Sequence, residues 1–196
     1  GEMYDYILMA NEGYAKVYDG FSEEVRVKDL ALDPSAFPNA KELQQSENLG
    51  RLKTTTTMGD SNGDGLYEEI YGYGGRSFAI MDGNSGKIIY DSGNDIAVRT
   101  AFTGFFNWNE DAGSFDDRSD DKGAEPEAIT VGEIDGKTYA FVGLERQGGI
   151  MMYDITGIIK PKFVGYFNGR NFFGDGTKMT VGDNTPESLV IIRADK

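Results

Sequence analysis

Cysteine and histidine are both absent from this 196-residue chain. Their absence removes the usual protein ligands of zinc, copper, haem iron and iron–sulfur clusters, together with thiol nucleophiles and Ser–His or Cys–His catalytic pairs. Any metal bound here must therefore be a hard cation held by oxygen ligands. The lack of disulfides leaves the compartment open, because disulfides indicate secretion only when they are present.

Positive charge is also scarce. The chain has 19 basic and 33 acidic residues, a net charge of −14 and a pI of about 4.4. Such a surface repels nucleic acid and anionic membranes and attracts cations, so we expect no nucleic-acid partner. Aromatic residues make up 12% of the chain, which favours a folded protein over a disordered acidic tail.

Targeting signals are missing as well. No apolar run has the length of a membrane span, and residues 1–5 do not form a signal peptide. The chain also has no Asn-x-Ser/Thr glycosylation site. The opening residues read as the middle of a longer sequence, so we expect a fragment of a larger protein.

The clearest motif is the loop from Asp60 to Glu68. Calcium takes about six to eight oxygen ligands, which a short loop supplies by placing an oxygen at every second position and a glycine at the turn. Here Gly65 permits the turn, and Glu68 replaces the later closing glutamate of an EF-hand. The predicted calcium ligands are Asp60, Asn62, Asp64, Leu66 and Glu68. Leu66 would bind through its backbone carbonyl and the others through their side chains.

The residues on either side of this loop are β-branched and aromatic, which predicts a calcium-stabilised β-hairpin between 54–58 and 69–73. The alternative is an ordinary turn without metal, since Asp, Asn and Gly also dominate turns.

The rest of the chain reads as short strands interrupted by one helical insertion, so the predicted class is all-β. A short helix is expected at 39–47, behind an Asn that could cap it. Predicted strands cover 6–10, 16–19, 52–58, 69–73, 77–82, 87–91, 128–133, 138–144, 149–155, 162–167 and 187–193. The first two are expected to pair as a hairpin, and Asp135-Gly136 predicts a hairpin turn between 128–133 and 138–144.

Internal repeats divide these strands into sets. Pro126-Glu127 is echoed by Pro186-Glu187, and the segment from Leu8 to Asp19 is echoed by the segment from Val142 to Asp154. Repeated sets of four short strands are typical of a β-propeller, whereas a β-sandwich, the alternative, would not explain the repeated starts. The prediction is one part of a single propeller domain over 1–196, with a part-blade at 4–20, a helical insertion at 21–50, a blade at 52–91, an acidic loop at 94–125, a blade at 126–168 and the start of another at 186–193.

In a propeller, residues at equivalent strand ends meet at one mouth of the central channel. Carboxylates meeting there would repel each other unless a cation neutralises them, so we predict a second calcium site, against the alternative of solvated acidic loops. Its candidate ligands are Glu12, Asp120, Asp121, Glu127, Glu145 and Glu187.

Arginines interrupt the acidic segments. Their simplest role is to pair with carboxylates, while a sharper reading is that they hold a phosphate beside calcium. In that second reading the weak catalytic candidates are Glu127, Glu145, Arg146 and Arg118, acting with metal-activated water.

Long motifs in the chain resemble the mesenchyme-specific cell-surface glycoproteins of biomineralising animals and their bacterial relatives, the choice-of-anchor I proteins. The matching segments are 10–13, 18–30, 74–78, 114–123, 125–127, 143–146 and 148–151. The resemblance implies a secreted or surface-anchored propeller, associated in animals with calcified skeletons and shells, and in bacteria with extracellular proteins described as alkaline-phosphatase-like. The expected partners are calcium or a mineral surface, other matrix or surface proteins, and the rest of the propeller.

Two functions are therefore expected. The first is a calcium-binding extracellular propeller that contributes to a matrix or mineral-associated assembly. The alternative is a calcium-dependent phosphoric-ester hydrolase.

Overall fold

A computed structural model describes residues 5–109, 115–175, 178 and 182–192, and it is mostly β-sheet with few helices. The predicted all-β class is confirmed at this level. The helices are α1 (Ala40–Leu43) and α2 (Asp95–Ala101), with a 3₁₀ turn at Val27–Asp29. The strands are β1 (Tyr6–Asn11), β2 (Val17–Tyr18), β3 (Phe21–Ser22), β4 (Glu24–Arg26), β5 (Lys53–Thr55), β6 (Ser77–Asp82), β7 (Ile88–Asp91), β8 (Pro126–Ile134), β9 (Lys137–Leu144), β10 (Ile150–Asp154) and β11 (Lys162–Phe167).

The chain forms two structural units. Unit 1 comprises Gly1–Glu12, Gly75–Arg118 and Gly123–Lys196, and unit 2 comprises Gly13–Gly74 and Ser119–Lys122. In the described ranges, no helix reaches the length and apolar character that a membrane span requires.

The largest sheet lies in unit 1 and is a four-stranded antiparallel meander in the order β11-β10-β9-β8. Its first turn is the predicted Asp135-Gly136 pair, which joins Ile134 to its cross-strand partner Lys137. Both turn residues have positive φ, 50° and 73°, as a two-residue type I′ turn requires. The predicted strands of this region are all present, with ends shifted by at most two residues.

The second sheet of unit 1 has the order β1-β6-β7, so β1 pairs with β6 from Tyr6↔Asp82 to Asn11↔Ser77. The predicted hairpin between β1 and the strand at 16–19 is therefore wrong, because β2 pairs with β3 instead. Sequence distance hid this pairing, since a local turn signal follows β1 while its partner lies far along the chain.

The core of unit 1 lies between these sheets and α2. Phe78 and Ile80 from β6, Ile96 from α2, and Leu144 and Tyr153 from the meander are all at most 1% exposed. The ring of Phe78 contacts that of Tyr153 at 4.7 Å between centroids. Burial of such side chains supplies the main favourable free energy of folding.

Helix α2 lies in the stretch that the sequence predicts to be a loop. Its buried face carries Ile96 and Thr100, four residues apart, and its polar face carries an Asp95–Arg99 ion pair at 2.6 Å. Both features have helical spacing. The sequence contains both features, but the many acidic residues nearby favoured the prediction of a loop.

Unit 2 contains the two small sheets β2-β3 and β4-β5 and the helix α1. The predicted helix at 39–47 is shorter than expected, because only Ala40–Leu43 is helical. Ser46 and Asn48 then fall in a region of turns, where both residue types are favoured.

The predicted hairpin around the Asp60–Glu68 loop is also wrong. Strand β5 pairs with β4, and Tyr67 makes a single parallel bridge with Leu32. Residues 69–73 form no strand, although the Thr55 N–H donates to the Tyr71 carbonyl at 3.0 Å. Glycines at 72, 74 and 75 weaken any strand here, because they lose more backbone entropy and pack no side chain.

The last predicted strand, 187–193, is not found in its described part. Residues 187–192 lie in an irregular segment, and residue 193 is outside the described residues. Pro186 of this segment lies against β9, since a Cβ on Gly143 would be 3.3 Å from its Cγ. Ile191 lies close to β8 in the same way, near Gly132. Packing on the meander therefore replaces strand pairing.

Candidate functional site

Two acidic regions stand out, one in each unit. In unit 2, the loop from Asp60 to Glu68 brings carboxylate oxygens of Asp60, Asp64 and Glu68 within 4.8 Å of one another. Gly63 and Gly65 have φ of 78° and 90°, and this left-handed conformation lets the short loop turn.

Backbone N–H groups organise these carboxylates. Asp60 Oδ1 accepts from the N–H of Gly63 at 2.8 Å, and its Oδ2 accepts from the N–H of Gly65 at 3.0 Å. Asn62 Oδ1 and Asp64 Oδ1 each accept from the N–H two residues on, at 2.8 Å. Such local bonds hold the oxygens of a short loop in fixed directions.

Glu68 closes the loop. Its Oε2 accepts from the N–H of Ser61 at 2.8 Å, and its Oε1 accepts from Asn62 Nδ2 at 2.7 Å. Of the five predicted ligands, the structure therefore brings the three carboxylates together. The Asn62 side chain donates to Glu68 through its nitrogen, and the Leu66 backbone N–H donates to Asp64. The donor set consists of hard oxygens, which suit calcium.

The second acidic region lies in unit 1 and contains two overlapping groups that share Glu145. Glu12, Glu125 and Glu145 form one group, and Glu127, Glu145 and Glu187 form the other, each with ligand oxygens within 4.8 Å. We call these five residues the glutamate cluster. Four of them were predicted from repeated strand ends, and the structure brings all four to this cluster.

Local structure explains this convergence. Glu12 directly follows β1, Glu127 lies near the start of β8, and Glu145 directly follows β9. Strands β1 and β8 lie against each other, and Pro186 packs near Gly143, which carries Glu187 to the same end of the meander.

Glu125 was missed by the sequence analysis. It is fully buried, and its carboxylate pairs with Arg118 and, at 3.6 Å, with Arg146 Nε. Its φ is +54°, a left-handed conformation that costs a non-glycine residue about 1–3 kcal/mol. Its position before Pro126 gave little sign of this, because a residue before proline favours extended backbone.

Glu145 has a perturbed carboxyl group. Burial raises the pKa of its carboxyl to about 7, and the negative charges of Glu125 and Glu127 add to the rise. Arg146, whose Nη2 lies 2.9 Å from Glu145 Oε1, opposes it. The residue is only 7% exposed, so solvent relieves little of this cost.

The weak catalytic candidates are thus found together, but their arginines are engaged by carboxylates. Arg118 pairs with Glu125, and Arg146 pairs with Glu125 and Glu145. This is the simpler of the two roles that the sequence offered for these arginines.

The two predicted aspartates at 120 and 121 lie in unit 2 and pair with its cations. Asp120 Oδ2 lies 2.8 Å from both Arg26 Nη1 and Arg51 Nη2, and Asp121 Oδ2 lies 2.9 Å from Lys53 Nζ. Among the residues that the structure describes, neither aspartate belongs to a carboxylate group that could hold a cation.

The remaining acids of the predicted loop at 94–125 contribute less. Glu110 and Asp111 lie outside the described residues. Asp116 has a positive φ of 66° and accepts from Asn107 Nδ2 at 3.5 Å, which indicates a role in ordering the loop.

The family model of the choice-of-anchor I domain matches residues 2–158, which is most of the chain. Gigasin-3a from Magallana gigas is 34% identical over 121 residues, covering 58% of this chain and 42% of that protein. The chain thus spans less than half the length of this relative. No solved structure matches. The chain belongs to the choice-of-anchor I domain family.

Proposed function

We propose that this chain is a calcium-binding part of an extracellular β-propeller that contributes to a matrix or mineral-associated assembly. Membership of the choice-of-anchor I family indicates an extracellular or cell-surface protein. The observation that carries the calcium proposal is the loop at Asp60–Glu68, where three carboxylates converge within 4.8 Å around two left-handed glycines.

The propeller part of the proposal is supported by sheet topology. A four-stranded antiparallel meander in sequential order has the same strand arrangement as a propeller blade. The strand at one edge of this meander, β8, lies against β1, the edge strand of the neighbouring sheet. In a propeller, consecutive blades likewise lie side by side through the edge strands that face the central channel.

The glutamate cluster is proposed as a second calcium site. Two unit charges 4.8 Å apart repel each other by about 3–4 kcal/mol at an effective dielectric constant of about 20. Arg118 and Arg146 offset part of this repulsion at Glu125. A divalent cation would offset the rest, and Glu127 and Glu187, at the more exposed side of the cluster, give it a way in.

Calcium titration by calorimetry tests the loop site. We expect Asp60→Asn with Asp64→Asn to remove one binding event, because two of the charged ligands lose their charge. Asp82→Asn is the matched control: Asp82 also accepts backbone N–H bonds in an Asx turn, from Asn84 and Ser85, but it belongs to none of the carboxylate groups that the described residues form. An unchanged titration of the double variant would refute the loop site.

The second candidate function is a calcium-dependent phosphoric-ester hydrolase. The observation that favours it is the Glu145 carboxyl, whose pKa near 7 suits a general base at neutral pH. The ion pairs of Arg118 and Arg146 count against it, because a phosphate would have to compete for both. Turnover of a generic phosphate ester that chelator and Glu127→Gln both abolish would establish this activity, and no turnover across a substrate panel would reject it.

A further inference from the structure

A cavity of about 480 Å³ lies in unit 1 between the end of α2 and the segment that follows β11. This volume is within the range of about 300–1,000 Å³ that small-molecule sites occupy. Three phenylalanines line it, together with Gln147, Tyr166 and Arg170. We call it the aromatic cavity. Among the residues that the structure describes, none of those lining it is acidic, although the chain carries a net charge of −14.

The phenylalanines form a platform. The rings of Phe105 and Phe172 stack with centroids 4.0 Å apart and an angle of 6° between their planes. Phe173 meets Phe105 edge-on at 5.8 Å and is itself 84% exposed. A large aromatic side chain left in solvent beside a concave surface is typical of a ligand site.

Arg170 supports this platform from one side. Its guanidinium lies 4.8 Å from the centre of the Phe172 ring. Its Nη1 donates to the Arg146 carbonyl at 2.7 Å, and its Nη2 donates to the Asn109 carbonyl. This positive group disfavours a cationic ligand, so the cavity is not an aromatic cage for an ammonium group.

Gln147 supplies polar capacity. The side chain is fully buried, and its Oε1 accepts from the backbone N–H of Trp108 at 3.2 Å, which fixes the orientation of the amide. Its Nε2 has no hydrogen-bond partner among the described residues. A buried donor without an acceptor is costly, and a ligand oxygen would remove that cost.

The neighbouring polar groups cannot serve Gln147 fully. The Tyr166 hydroxyl donates to the Gly148 carbonyl at 2.7 Å and accepts from Asn168 Nδ2 at 2.7 Å. Burial raises the pKa of Tyr166 to about 12, although Asn168 and the nearby Gln147 amide oppose the rise. Gln147 Nε2 carries two hydrogens and makes no hydrogen bond of acceptable geometry to the Tyr166 hydroxyl. It can therefore still donate a hydrogen bond to a ligand.

We propose that the aromatic cavity binds a carbohydrate. The apolar face of a pyranose ring would lie on the exposed ring of Phe173, and a hydroxyl or acetamido oxygen would accept from Gln147 Nε2. A nucleotide or other polyanion is disfavoured by the net charge of −14, and a cation is disfavoured by Arg170. An uncharged ligand with an apolar face and several hydroxyl or carbonyl oxygens satisfies all these conditions.

Calorimetry with cellohexaose and with chitohexaose, each without calcium, tests this proposal independently of the calcium sites. The first probe offers hydroxyl oxygens only and the second adds acetamido carbonyls, so their comparison shows which acceptor Gln147 selects. We expect one or both to bind the wild-type protein. Phe173→Ala should weaken binding about two- to tenfold, as the loss of one aromatic contact does.

Gln147→Met removes the amide while keeping a similar shape, and it should weaken binding by a similar factor. Phe102→Ala is the matched control, because Phe102 is 88% exposed but does not line the cavity. It should leave binding unchanged. If Gln147→Met fails to fold, Phe173→Ala decides alone, since its side chain is mostly in solvent. The proposal is overturned if neither saccharide binds, if Phe173→Ala binds like wild type, or if Phe102→Ala weakens binding equally.

Discussion

Replacing Glu145 by Gln should stabilise the calcium-free protein at alkaline pH. Glu145 is 7% exposed. Its carboxylate lies within 4.8 Å of the carboxylates of Glu125 and Glu127, measured between oxygen atoms. Burial and these neighbouring charges raise its pKa to about 7, from an ordinary value of 4.5, even though Arg146 attracts the ionised form. Gln keeps the size of the side chain and removes the charge that the site must otherwise hold.

The magnitude follows from linkage. A pKa that is higher in the folded state than in the unfolded state means that the native protein holds the proton more tightly. The contribution of Glu145 to stability is therefore most favourable below about pH 4.5, falls between about pH 4.5 and pH 7, and stays unfavourable above that range. The full difference is about 3 kcal/mol, which corresponds to roughly 6–12 °C in the unfolding temperature of a domain of this size.

Thermal unfolding followed by circular dichroism, in chelator, measures this effect. At about pH 8 we expect Glu145→Gln to unfold at a higher temperature than wild type, whereas at about pH 4 the two should nearly coincide. Glu133→Gln is the matched control, because Glu133 is an exposed acid on the same meander. A Glu145→Gln variant that is less stable than wild type at alkaline pH, or shifted equally at both pH values, would refute the reasoning.

Three further predictions concern folding. Glu23 has a lowered pKa because its carboxylate accepts from the Lys16 N–H and the Thr55 hydroxyl, so its stabilising effect is present at neutral pH and is lost as the pH falls through the folded-state pKa. Glu23→Gln should therefore lower the free energy of unfolding at pH 7 and lower it less in acid, as denaturant titrations across this pH range would reveal. Phe78→Ala should lower the free energy of unfolding, measured by chemical denaturation, by about 3–5 kcal/mol, because Phe78 is fully buried. A decrease below about 1 kcal/mol would show that Phe78 does not lie in the core. Gly136→Val should cost at least about 1 kcal/mol, since φ there is 73°, and an unchanged denaturation midpoint would contradict the type I′ turn.

Regular local patterns were the readable part of the sequence. The meander was predictable because its strands alternate in character and the Asp135-Gly136 pair specifies one turn type. The pairing of β1 with β6 was not predictable, because nothing near β1 in the sequence encodes a partner so far away. Helix α2 was missed for a different reason: its seven residues give only one turn of apolar spacing beside an acidic stretch.

The candidate sites divide in the same way. The Asp60–Glu68 loop could be read because all its ligands lie within nine residues, so spacing alone fixes their geometry. The repeated strand ends pointed to Glu12, Glu127, Glu145 and Glu187, which the structure brings to one cluster. Glu125 could not be found in this way, since its role depends on burial, a left-handed backbone and two arginines. Asp120 and Asp121 were predicted as ligands but pair with basic residues instead. The sequence could not indicate this, because those basic residues lie far from them along the chain.

The most direct test of the central proposal is a crystal structure of the protein grown with calcium, with anomalous scattering used to locate the ions. We expect a peak at the loop within about 2.3–2.6 Å of oxygens from Asp60, Asp64 and Glu68, and a second peak at the glutamate cluster beside Glu145. A map at saturating calcium with no peak at either place would contradict the account. A peak at the loop that survives Asp60→Asn with Asp64→Asn would contradict the ligand assignment.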